Sequence, residues 1–310
     1  MTLANKADLN QALPEAGFFF AQQILKNRVE QQQIHTGEIL RMNNLHSNLG
    51  KLVIAGPCAL ESRQQLKECV QVLKQMGVTM IRASLWKPRT QPGWEGLGWM
   101  SLPLLLEETL PHGLVPATEI ISAEHALMVV HALEHFGHDA RMIVWLGSRN
   151  QNHMEQKKIS KILATGPNGI TFMFKNQMWD DERHWLGIHE HILSEGFPRE
   201  RLMICHRGFS PGKAPNLKGF RNLPDFEMAM RVKEKTGLPM LLDPSHVGGS
   251  RENVIDICNI ASAYDFDGYL VEMHCDPENA KTDAKQQLSP TQFQALLKTL
   301  RGAAHKKEVA

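Results

Sequence analysis

From residue 51 onward, short runs of β-branched, aromatic and long apolar residues alternate with segments whose apolar positions recur every three to four residues. Runs bounded by turn residues read as buried strands, and the 3.6-residue spacing reads as helices with one buried face. The pattern predicts strands at Leu52 to Ala55, Met80 to Trp86, Leu114 to Glu119, Met142 to Leu146, Ile170 to Phe174, Leu202 to Cys205, Met240 to Leu242 and Tyr269 to Glu272. Helices lie between them. Ser62 is placed to cap the first, Gln65 stands three residues on as in a capping box, and Leu66, Cys69, Val70 and Leu73 form its apolar face. Val254, Ile257, Cys258 and Ala261 repeat the design after Ser250, as do Phe293, Leu296, Leu297 and Leu300 after Ser289-Pro290.

Eight such units in about 250 residues predict an α/β protein, a (β/α)8 TIM barrel whose functional groups gather at the C-terminal ends of the strands. The competing architecture is an open doubly wound sheet, which would carry a Gly-rich phosphate turn after its first strand. Gly56-Pro57-Cys58-Ala59-Leu60-Glu61-Ser62 stands there instead. Residues 1–48 fall outside the repeat and predict a short, mostly helical N-terminal extension, with the helical pattern over Phe18 to Leu40, ahead of a barrel spanning 49–310. The Gly, Pro, Lys and Asn of Ser210 to Pro224 predict a long loop over the barrel mouth.

The 310 residues carry 34 Lys plus Arg against 33 Asp plus Glu, a formal net charge of +1. That balance excludes a globally basic nucleic-acid binder and a strongly acidic solvated chain. Five cysteines without a CxxC pair point to a reducing, cytoplasmic setting. No apolar run approaches the ~20 residues of a membrane span, and the N-terminus has no secretory pattern.

The even total hides a local asymmetry. The expected strand ends carry Cys58, Lys87, Glu119, Arg149, Lys175, Arg207, His246 and Glu272, each able to bind a metal or an anion. Singly, each reads as an ordinary structural polar group. Eight at one barrel face point to chemistry. Arg82, Lys87, Arg89, Arg149, Lys175 and Arg207 form a cationic set suited to phosphate and carboxylate oxygens, with the acids expected elsewhere. In Lys87-Pro88-Arg89-Thr90, the proline stiffens a loop presenting two cations and a hydroxyl. Cations converging in a barrel mouth, with no stripe of interleaved aromatics, count against nucleic acid.

Six segments, read in order, carry a resemblance. They are Gly56-Pro57-Cys58-Ala59-Leu60-Glu61-Ser62, Arg82-Ala83-Ser84-Leu85-Trp86-Lys87-Pro88-Arg89-Thr90, Gly147-Ser148-Arg149-Asn150, His206-Arg207-Gly208, Asp243-Pro244-Ser245-His246 and Glu272-Met273-His274. With them the chain resembles the class I 3-deoxy-D-arabino-heptulosonate 7-phosphate (DAHP) synthases over about residues 51 to 300. The resemblance implies a metal-assisted, aldol-like condensation of phosphoenolpyruvate with erythrose 4-phosphate, the entry step of the shikimate pathway.

Carried across by motif, Cys58, His246, Glu272 and Asp283 are the implied metal ligands. A thiolate, an imidazole and two carboxylates suit one divalent ion of Mn, Fe, Co or Zn rather than Ca. Arg82, Lys87, Arg149, Lys175 and Arg207, with Glu119 nearby, are the implied phosphoenolpyruvate site, and Arg89 with Thr90 the erythrose 4-phosphate site. Lys175, His246 and Cys58 are implied to take part in the chemistry, and a homo-oligomer of two or four copies is expected. Two rivals stand beside this. The related 3-deoxy-D-manno-octulosonate 8-phosphate synthases act on arabinose 5-phosphate, but carry a KANRSS-like segment where this chain has Lys87-Pro88-Arg89-Thr90. A silent metabolite-sensing barrel is the other.

Overall fold

The computed structural model describes residues 51–87, 92–137 and 139–308. The expected N-terminal extension, Arg89 and Thr90 lie outside the described residues. Eight parallel strands close into a barrel in sequence order: β1 Leu52–Gly56, β2 Met80–Arg82, β3 Val115–Ile120, β4 Met142–Leu146, β5 Ile170–Lys175, β6 Leu202–His206, β7 Met240–Leu242 and β8 Gly268–Glu272. Helices α1 Arg63–Gln75, α2 Leu102–Thr109, α3 Ala123–Phe136, α4 His153–Thr165, α5 Glu182–Ser194, α6 Phe226–Thr236, α7 Pro244–Gly248, α8 Arg251–Ala261 and α9 Pro290–Glu308 follow the strands. The (β/α)8 expectation is met.

Strand parity builds two cores. Leu52, Ile54, Met80, Ala117, Ile143, Trp145, Met173, Met203, Cys205, Leu241 and Leu270 point inward and fill the barrel. The alternate residues, such as Val53, Val144, Phe172 and Ile204, face the helices and join their apolar stripes. Strands buried on both faces read as continuous apolar runs, which is why they stand out in the sequence.

One strand is shorter than expected. The run Met80 to Trp86 is apolar almost throughout, yet β2 ends at Arg82. Beyond it the chain leaves the ladder: Ser84 bridges to Ala59, and the Leu85 N–H donates to the Thr118 Oγ1. Ala83, Leu85 and Trp86 stay buried without being strand, so burial alone mimics the signal.

The caps land where expected. Ser62 accepts from the Gln65 N–H, Ser250 from Asn253 and Ser289 from Gln292. The return arm of the first capping box differs: the Gln65 Oε1 accepts from Glu61 rather than Ser62, while its Nε2 donates to the Ala59 carbonyl. Gln65 therefore ties α1 to the loop that carries Cys58. The predicted loop after β6 is pinched at its base, where Phe209 and Leu223 exchange two 2.8 Å backbone hydrogen bonds.

Candidate active site

Inward parity continues past the apolar layers, and there it changes chemistry. Two residues beyond Met80, Ala117, Met173, Cys205, Leu241 and Leu270 stand Arg82, Glu119, Lys175, Arg207, Asp243 and Glu272. The top layer of the barrel is therefore built of charges lying on an apolar floor. Just past β4 the same position is Gly147, where a Cβ would come within 2.1 Å of the Glu119 Oε1. The glycine makes room for that carboxylate.

At one side of the mouth, donor atoms of Cys58, Glu272 and Asp283 lie within 4.8 Å of one another. Cys58 and Glu272 are fully buried. The Cys58 Sγ is 3.1 Å from the Asp283 Oδ2. His246 stands at the edge of this group, with Nε2 3.8 Å from the Glu272 Oε1 and Nδ1 2.8 Å from the Asp243 Oδ2. A carboxylate on Nδ1 leaves Nε2 free as a donor atom, the arrangement usual behind a metal-bound histidine. Burial pushes the Cys58 thiol up, reinforced by the Glu272 charge. Burial likewise works against the Asp283 carboxylate, but Lys87, His246 and Arg221 outweigh it and hold its pKa below the usual carboxylate range.

The cluster calls for positive charge at its centre. Here the Lys87 ammonium supplies it, 2.9 Å from the Cys58 Sγ and 3.4 Å from the Asp283 Oδ2. The buried Glu272 Oε1 has no well-aligned hydrogen bond, only the Arg82 charge beside it. A sulfur, an imidazole and two carboxylates gathered in this way fit a divalent transition metal. Asp283 is the one non-glycine with positive φ among the described residues, at 52°. Asp tolerates this left-handed backbone better than most residues, and the turn aims its carboxylate at Cys58.

The cations are not left to repel one another. The Arg82 Nη2 is 3.1 Å from the Glu272 Oε1, the Lys175 Nζ is 2.6 Å from the Asp243 Oδ2, and Lys87 pairs with Asp283. The expectation that the acids lie elsewhere is thus corrected: buried Glu272 and Asp243 and partly buried Asp283 pair with half of the predicted set, because unpaired charges in a dry barrel are too costly. Arg82 and Lys175 also flank the Trp145 ring, at 5.3 and 5.4 Å from its centroid.

Arg207 differs, since its Nη1 meets only neutral partners, the Asn222 Oδ1 at 2.8 Å and the Met178 Sδ at 3.2 Å. Burial brings its pKa down to about 10 despite the Asp243 charge, and nearby Arg221 and Arg149 add to the fall. A buried guanidinium with cationic neighbours is a place for an anion. Arg149 is exposed at the rim, and Glu119 is half-buried.

Several residues escaped the sequence reading. Asp243 bridges Lys175 and His246, and its inward parity on β7 was a usable signal. Arg221 donates to the Asp283 Oδ1 at 2.9 Å and to the Gln286 Oε1. Gln286 in turn donates to the Glu272 Oε2. The Gln287 Oε1 accepts from the Cys58 N–H at 2.8 Å across 229 residues of chain. No local pattern marks these three. Beside Asp283 and Arg221 a cavity of about 510 Å³ opens, bordered by Gly248, Gly249 and Lys285.

A closed parallel barrel with its charges gathered at the C-terminal ends of its strands is the architecture of a (β/α)8 enzyme. Residues 41–307 match the profile of the DAHP synthetase I family. The chain belongs to that family and is an enzyme of aldolase type. It is 30% identical over 253 residues to the phospho-2-dehydro-3-deoxyheptonate aldolase of Thermotoga maritima, covering 81% of this chain and 69% of that one. The crystal structure of the Thermotoga maritima phospho-2-dehydro-3-deoxyheptonate aldolase (DAHP synthase) superposes with a TM-score of 0.71 at 29% identity, over 82% of this chain and 69% of that one. A 2-dehydro-3-deoxyphosphooctonate aldolase of Bradyrhizobium sp. strain ORS 278 is 26% identical over 267 residues, covering 80% of this chain and 86% of the relative.

Proposed function

We propose that this enzyme condenses phosphoenolpyruvate with erythrose 4-phosphate and water to give 3-deoxy-D-arabino-heptulosonate 7-phosphate and phosphate, using one divalent metal, and so opens the shikimate pathway. The observation that carries the reading is the juxtaposition of the Cys58, Glu272 and Asp283 donors with Arg82, Lys175 and Arg207 in one barrel mouth. In this reading Cys58, His246, Glu272 and Asp283 hold the metal, which when bound supplies Lewis-acid polarisation of an aldehyde oxygen.

The chain's own residues do the rest. Arg82, Lys175 and Arg207, with Arg149 at the rim, bind the carboxylate and phosphate of phosphoenolpyruvate, and Arg89 with Thr90 receive the sugar phosphate. Held face to face, the two anions exchange an improbable encounter for a fixed geometry. C3 of phosphoenolpyruvate bonds to the aldehyde carbon, water adds at C2, and phosphate leaves by C–O cleavage. Lys175 is placed to hold or move a proton at Nζ, with the Asp243 Oδ2 2.6 Å away to balance its charge.

The test is phosphate release by the purified chain given Mn2+, phosphoenolpyruvate and either erythrose 4-phosphate or arabinose 5-phosphate. Turnover should favour the four-carbon sugar. Preference for arabinose 5-phosphate would move the chain to the octulosonate chemistry named for the Bradyrhizobium relative, and phosphoenolpyruvate binding without turnover would favour a sensing barrel. Cys58→Ser should lower both retained metal and activity by at least about tenfold, read by elemental analysis and phosphate release. Unchanged metal content would remove Cys58 from the ligand set.

A further inference from the structure

Two thiols outside the site already described face each other. Cys69 lies on the buried face of α1, and Cys275 stands three residues beyond Glu272. Their sulfurs are 3.5 Å apart, against about 2.05 Å in a disulfide, so a small approach of either side chain closes the bond. All five cysteines are free thiols. Cys58 is a metal-ligand candidate, Cys205 lies in the barrel floor and Cys258 packs inside α8, so none of these is spare in the same way.

The two members of the pair are unequal. Cys69 is fully buried, whereas Cys275 is only partly buried. Hydrogen bonding from Cys69 is the largest influence on Cys275 and holds its pKa below the ordinary thiol value, against the effect of burial. A partly accessible thiol supported by a fully buried neighbour has the asymmetry of an attacking and a resolving cysteine.

We propose that Cys69 and Cys275 form a reversible disulfide, made by exchange with a small-molecule disulfide such as glutathione disulfide. The Cys275 thiolate attacks one sulfur of that disulfide, the S–S bond breaks, and one glutathione thiolate leaves. Cys69 then attacks the Cys275 sulfur of the mixed disulfide, its proton going to the second departing glutathione. Two protein thiols are oxidised and one disulfide is reduced to two thiols, so electrons and protons balance. The new bond joins α1, which follows the Cys58 loop, to the segment that carries Asp283. That segment is already pinned at its base by the Met273 to Leu288 bridge. Oxidation thus fastens the scaffold around the metal donors without consuming one.

The experiment treats the full chain, with Mn2+ present, with glutathione disulfide and counts thiols after denaturation. The titre should fall from the five present as two are consumed, and peptide mapping should join Cys69 to Cys275, with dithiothreitol restoring all five. Cys69→Ser should trap one glutathione on Cys275, and Cys275→Ser should leave Cys69 unmodified. Five thiols persisting in the untouched chain, a crosslink between any other pair, or a Cys69→Ser chain that takes up no glutathione would each overturn the proposal. No activity is read, so the outcome is separable from that of the condensation assay.

Discussion

At the scale of single residues, the site is made by what is missing as much as by what is present. Gly147 occupies the inward position just past β4 where the neighbouring strands place charges, and Glu119 fills the space it leaves. Gly147→Ala puts a methyl on that carboxylate. The expected result is a folded barrel with Glu119 displaced by about an ångström and kcat/KM lowered by roughly 100-fold, with KM for phosphoenolpyruvate carrying part of the loss. Steady-state kinetics with an unchanged circular dichroism spectrum checks it, and near-normal kinetics would detach Glu119 from substrate. Reading the sequence by parity and motif singled out Arg82, Lys175 and Glu272, whose side chains lie buried at the barrel mouth. It missed Gln286 and Gln287, because an amide that reaches Glu272 or Cys58 through folded space leaves no local trace. It misjudged charge for a related reason: pairs such as Lys175 with Asp243 are 68 residues apart in sequence.

At the scale of elements, short caps decide where each loop begins, and hence where each functional group is delivered. α8 starts at Ser250, whose hydroxyl accepts from the Asn253 N–H directly beside the cavity next to Asp283. Ser250→Ala should cost about 1 kcal/mol, a fall of roughly 1–2 °C in melting temperature for a chain of this size, read by calorimetry. A shift near zero would mean that the helix start is held by packing alone. Strand and helix positions were legible because each element repeats a period of two or of 3.6 against a buried surface. The end of β2 was not, since Ala83 to Trp86 are as buried as a strand while, past a last bond from the Ala83 N–H to β3, their hydrogen bonds go to loops and a threonine side chain.

At the scale of the whole molecule, the buried imidazoles set the response to acid. Burial, with the Arg207 charge adding, holds His206 at about 3, and burial holds His125 at about 4. The unfolded chain protonates both near 6.5. Below that pH the unfolded state binds more protons than the native one, so this stability is present above about 6.5 and is lost as pH falls toward the native values. His206 alone should lower the unfolding free energy by on the order of 2 kcal/mol between pH 7 and pH 5. Urea unfolding at the two pH values tests this, and His206→Gln should flatten the difference. Equal midpoints for the parent chain would show that His206 is not held neutral.

The pinch between Phe209 and Leu223 has a consequence of an evolutionary kind. Two backbone hydrogen bonds close the base of that loop, and residues 212–215 and 217–219 beyond it are exposed, apart from a turn that Asn216 ties to Phe220. Lengthening or rewriting the outer stretch changes what borders the mouth without disturbing β6 or β7. The loop behaves as a cassette, through which a lineage can alter the surroundings of the mouth while inheriting the barrel unchanged.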